Sequence, residues 1–96
     1  MTAPSKDYHA SLIAALRDPE EAAAYLNAAL AEQDMATFLL ALRNVAEAKG
    51  MSAAAAQAHL NRESLYRMLS AQGNPHLASV QALLHALDLT LTVTVK

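Results

Sequence analysis

Arg62, Glu63 and Arg67 are the side chains of this sequence whose types and spacing best suit the reading of nucleic-acid bases. An arginine can bond guanine O6 and N7 as a bidentate pair, and a glutamate can accept a bond from cytosine N4. Asn61, Ser64 and Tyr66 are interleaved with them and suit phosphate contacts, which position a protein on DNA without reading its sequence. The alternative for this stretch is a solvated helix face on which Glu63 and Arg67, four residues apart, pair with each other. For Tyr66, partial burial against the preceding helix is an equal alternative. Arg43 and Lys49, further upstream, are also candidates for the DNA backbone, although surface solubility explains them equally well.

These residues need a helix to carry them, and residues 61–69 have the pattern for one. Asn61 is a good N-cap whose side-chain oxygen can accept from the Ser64 amide, and Glu63 sits in the first turn, where the helix dipole favours negative charge. Leu65, Met68 and Leu69 form an apolar stripe, leaving Arg62, Glu63, Tyr66 and Arg67 to point the other way. A helix of about two turns is marginal in isolation, so neighbours must hold it. Just upstream, Ser52 can cap a very short helix over residues 53–58, and residues 59–61 form the turn between the two. Two short helices joined in this way are a helix-turn-helix arrangement.

The remaining elements are also helical. Residues 7–17 place Tyr8, Leu12, Ile13 and Leu16 on one side of a helix that Asp18-Pro19 stops. Asp18 at the N-cap, Pro19 at the first helical position and Glu21 three residues after the cap then start a second helix, running to about Gln33. Its inner face is Ala22, Tyr25, Leu26, Ala29 and Leu30. Asp34 can cap a third helix over residues 35–49, with Phe38, Leu42, Val45 and Ala46 inward, and Gly50 ends it in the left-handed conformation. After the turn cluster of residues 70–75, Leu77, Val80, Leu83, Leu84 and Leu87 mark a core helix. The tail changes period. Residues 89–95 alternate leucine or valine with threonine, which reads as a β-strand exposing Leu89, Leu91, Val93 and Val95 for pairing. A solitary strand either frays or pairs with another chain, so a ribbon across a homodimer, or addition to a partner's sheet, is the favoured expectation. A disordered or loosely packed tail is the alternative.

Composition narrows the function classes. Ninety-six residues make one small domain, divided as an N-terminal helical extension (1–34), a helix-turn-helix core (35–88) and the strand (89–96). The chain is alanine-rich with only two glycines, which favours helix over sheet. The absence of cysteine excludes a disulfide framework and a thiolate metal site. Residues 1–6 lack the apolar core of a signal peptide, and no uncharged apolar run approaches the ~20 residues of a membrane helix. A soluble, cytoplasmic protein is therefore expected.

A net charge of −2 argues against a non-specific nucleic-acid coat. The charge is unevenly spread. Lys6 and Arg17 face Asp7, Asp18, Glu20, Glu21, Glu32 and Asp34 in residues 1–42, whereas Arg43, Lys49, Arg62 and Arg67 face only Glu47 and Glu63 in residues 43–76. An acidic front and a mildly basic middle suggest two surfaces with different partners. His9, His59, His76 and His85 show no metal-ligand spacing, and neither a phosphate-binding glycine loop nor a nucleophile elbow is present. Neither a metal, a cofactor nor an enzymatic activity is expected.

With these stretches in order, residues 25–91 resemble the small addiction-module antidotes, the HigA-like antitoxins with an Xre-type helix-turn-helix. The matching stretches are Tyr25-Leu26-Asn27-Ala28-Ala29-Leu30, the run from Ala41 through Arg43, Val45 and Gly50 to Ser52, then Ser64-Leu65-Tyr66-Arg67, Gly73-Asn74-Pro75 and Ala86-Leu87. The resemblance implies an all-α, lambda-repressor-like domain. It also implies a RelE- or ParE-like toxin as partner, and autorepression through operator DNA. Toxin binding would use the N-terminal helices or the C-terminal strand. A stand-alone regulator of the same type, or an interaction module that never binds DNA, are the alternatives. The chain departs from the family where His59 and Asp88 stand in place of glycine, at positions expected to need positive φ. It departs again in the alanine run of the short helix, where relatives carry larger polar side chains.

Overall fold

The computed structural model describes residues 5–96, and the reading of the leading segment as no signal peptide falls mainly on residues 1–4, outside them. The described chain forms six helices: α1 (Ser5–Ala15), α2 (Pro19–Ala31), α3 (Met35–Lys49), α4 (Met51–Gln57), α5 (Arg62–Met68) and α6 (Leu77–Ala86). Local signals account for most of their starts. Asp18 accepts from the Glu20 amide at 3.0 Å, Asp34 from the Thr37 amide at 3.2 Å and hydroxyl at 2.7 Å, and Asn61 from the Ser64 amide at 2.7 Å. Each supplies an acceptor to a first-turn donor that has no partner within its helix.

The expected Ser52 cap does not form. α4 begins one residue earlier, and its N-cap is Gly50, which makes no side-chain bond. Gly50 at φ 105°, ψ 120° is also the C-cap of α3, its amide reaching Ala46 O at 2.9 Å while its carbonyl accepts from Ala54 N at 2.9 Å. The two helices therefore meet at a single residue. Its φ is positive as expected, but its ψ lies outside the left-handed helical region, in backbone space that suits glycine.

The core is built around α3. Leu39 and Leu42 are fully buried, with Phe38, Ala41, Val45 and Ala46 around them, and α2 and α1 pack on this helix from the N-terminal side. α4 joins α3 to α5 and α6, and Leu65, Leu69, Val80, Leu83, Leu84 and Leu87 complete the interior. Asn44, buried on α3, donates to the Tyr25 hydroxyl on α2 at 2.9 Å, so its amide nitrogen is satisfied. Three inward assignments are corrected. Tyr8 is 75% exposed, because α1 is anchored through Leu12 and Leu16 nearer its end, and Leu30 on α2 and Leu77 at the first turn of α6 are exposed as well.

His59, Asp88 and Gln33 all have positive φ, at 60°, 63° and 58°. At the first two the helix closes in the same way. The Leu60 amide reaches back to Ala55 O and the Leu89 amide to Leu84 O, both at 2.8 Å, which is the six-to-one bond of a Schellman motif. That geometry explains why glycine suits both places.

The expected C-terminal β-strand is absent: the described residues contain no strand, and the fold is all-α. The physical reason is that nothing among the described residues offers a sheet edge, so residues 89–96 have no ladder to join. The apolar positions instead divide. Leu89 and Leu91 are partly buried on the core, beside Leu26, Leu30, Phe38 and Leu84, whereas Val93 and Val95 are 96% and 100% exposed. None of the helices is long and apolar enough to cross a membrane.

Candidate nucleic-acid interface

α5 is held from beneath and open above. Leu65 is fully buried and Leu69 nearly so, Met68 packs partly against the core, and Arg62, Glu63 and Arg67 are exposed. The four-residue turn 58–61, closed at His59, sets where the helix begins. Asn61 is itself exposed, but its side-chain oxygen is already engaged by the Ser64 amide.

The candidate residues separate into three groups. In the first, Tyr66 is half-buried against the core, and two arginines approach its ring: Arg43 from α3 at 5.4 Å and Arg62 from α5 at 5.6 Å, guanidinium carbon to ring centroid. Those separations are within the range of cation–π attraction. In the second, Ser64 and Arg67 line a hollow between α5 and α6, together with Leu60, Met68 and residues of the 70–76 turn. A Cβ at Gly73 in that turn would run into the Met68 carbonyl oxygen, so the close approach of the chain there requires glycine. Lys49 stands apart from both, beside Arg17 and Asp88 in a hollow formed by the ends of α1 and α3 and the start of α2.

Glu63 and Arg67 do not form the internal pair that would have made this a self-neutralised face. Among the described residues the ion contact is His9 Nε2 to Glu47 Oε2, at 3.4 Å, which ties α1 to α3. No cluster of metal-ligating side chains occurs among the described residues. Three contacts were missed in the sequence. The Arg62 to Tyr66 spacing of four residues was a usable signal, but the approach of Arg43 was not, since it depends on how α3 and α5 pack. The Asn44 to Tyr25 bond had no local signal either.

A family model described as probable addiction module antidote protein matches residues 8–95, nearly the whole described chain. The chain belongs to this family. This antidote-family chain is also 39% identical over 93 residues to an uncharacterized protein of Haemophilus influenzae, covering 97% of this chain and 94% of that protein. No solved structure matches it. The segment 89–95, read above as a strand, lies within the family match.

Proposed function

We propose that this chain is a HigA-like antitoxin of a type II toxin–antitoxin pair, which neutralises a small RelE- or ParE-like toxin and represses its own operon by binding operator DNA. Family membership supports the antidote half of this reading. The observation that carries the DNA half is α5. It is capped by Asn61, seated by Leu65 and joined to α4 by the turn 58–61, with Arg62, Glu63 and Arg67 exposed along it, the arrangement an Xre-type helix-turn-helix would need. Arginine and glutamate there can meet guanine and cytosine edges in the major groove. With four arginines and lysines in residues 43–76, one subunit offers few cations, so binding rests on a homodimer reading half-sites roughly 34 Å apart. The N-terminal helices α1 and α2, with Glu20 and Glu21 exposed at the start of α2, or the tail with Val93 and Val95, are the surfaces for the toxin. Action is in the cytoplasm, beside the operon.

The excess of acidic over basic residues favours a second reading, a protein-interaction module that never meets DNA. Two experiments decide. Co-expression with the product of the adjacent reading frame should restore growth through a complex; a harmless neighbour overturns the antitoxin reading. A gel shift with the upstream promoter should show a retarded band; none at any concentration favours the second reading.

A further inference from the structure

Arg43 and Arg62 come from different helices and converge on one aromatic ring. No carboxylate lies within ion-pair distance of either guanidinium, the His9–Glu47 contact being elsewhere among the described residues. Each guanidinium carbon lies within 5.6 Å of the same ring centroid, and two like charges held at one ring without a counter-ion repel, a cost the tyrosine face offsets only in part. An anion with several oxygens would offset the rest. A guanidinium stacked on a ring keeps its edge N–H groups available for a bidentate bond to phosphate. The ring is suited to hold both, because Tyr66 is half-buried against the core. Arg67 is not part of this arrangement. It lies five residues beyond Arg62, about 140° further around the helix, and lines the α5–α6 hollow instead.

We propose that Arg43, Tyr66 and Arg62 form one phosphate clamp, in which the tyrosine ring holds two guanidiniums toward a phosphodiester group of the DNA backbone. Arg62 then positions the protein rather than reading a base, and base discrimination falls to Arg67 and Glu63. This rests on the DNA-binding reading above, and it reassigns the roles within that face.

The test measures binding of the full chain by fluorescence anisotropy to its own upstream promoter duplex and to a scrambled duplex of equal length, across a salt series. Arg62→Gln and Arg43→Gln are each expected to weaken both duplexes by the same factor, leaving their ratio unchanged. Each should also reduce the slope of log K against log salt by about 0.9 per bound subunit. Tyr66→Leu should weaken both duplexes although no charge is removed, and by more than Tyr66→Phe, which keeps the ring. A folded Arg62→Gln protein that loses promoter binding but keeps scrambled-duplex binding would overturn the clamp while leaving DNA binding intact. So would an unchanged salt slope, or a loss with Tyr66→Phe as large as with Tyr66→Leu, which would make the hydroxyl the contact. Should wild type bind neither duplex, the DNA-binding reading fails and the clamp with it.

Discussion

The two sides of α5 solve the placing of an arginine differently. On one side Arg62 lies over an aromatic ring that also receives Arg43 from α3. On the other, Arg67 sits at the rim of a hollow with Ser64 and the 70–76 turn, with neither a ring nor a carboxylate partner. The first arrangement suits a contact that is the same on every DNA sequence. The second suits a side chain that must adjust to the base it meets, since long side chains lose rotamer entropy only when they bind.

The most severe way to break the comparison is to remove what both sides share. Leu65→Ala should cost about 2–5 kcal/mol of stability, because a fully buried leucine leaves a cavity under α5. Urea unfolding would register it as a lower midpoint, and both arginine sides should fail together. Arg67→Ala is expected to lose about 1–3 kcal/mol of promoter affinity while leaving toxin binding intact. Unlike the clamp variants it should narrow the gap between promoter and scrambled duplex; a uniform loss on both would erase the distinction between the sides. Asn61→Ala should cost about 1 kcal/mol of stability through the lost cap, read from thermal unfolding, and weaken both sides equally by loosening the first turn. The smallest effect is a gain. His59→Gly relieves the positive φ that closes α4 and should stabilise the fold by up to about 1 kcal/mol in urea titration, with DNA affinity unchanged.

How much of this was legible in the sequence depended on the range of the interaction involved. The caps at Asp18, Asp34 and Asn61 were legible because a cap is made within three residues of itself. The turns at His59 and Asp88 were legible as places that need positive φ. Ser52 misled because a serine before an alanine run looks like a cap, whereas Gly50 lets α4 start directly from the end of α3. The tail misled more. Alternation of leucine, valine and threonine describes a chain with two unlike faces, but a strand also needs a neighbouring edge, and no local pattern can supply one. Leu89 and Leu91 used the alternation to pack on the core instead. For the site, the residue types on α5 were legible, while their division into a stacked side and an open side was set by the packing of α3.

Arg43 and Asn44 are successive residues of α3, and each is engaged by a tyrosine from a different part of the chain: Arg43 by Tyr66 of α5, Asn44 by Tyr25 of α2. Because consecutive residues on a helix cannot turn independently, rotation of α3 about its axis displaces both contacts at once. The seating of α2 on α3 and the placing of Arg43 at Tyr66 are thus set by one and the same angle, the azimuth of α3.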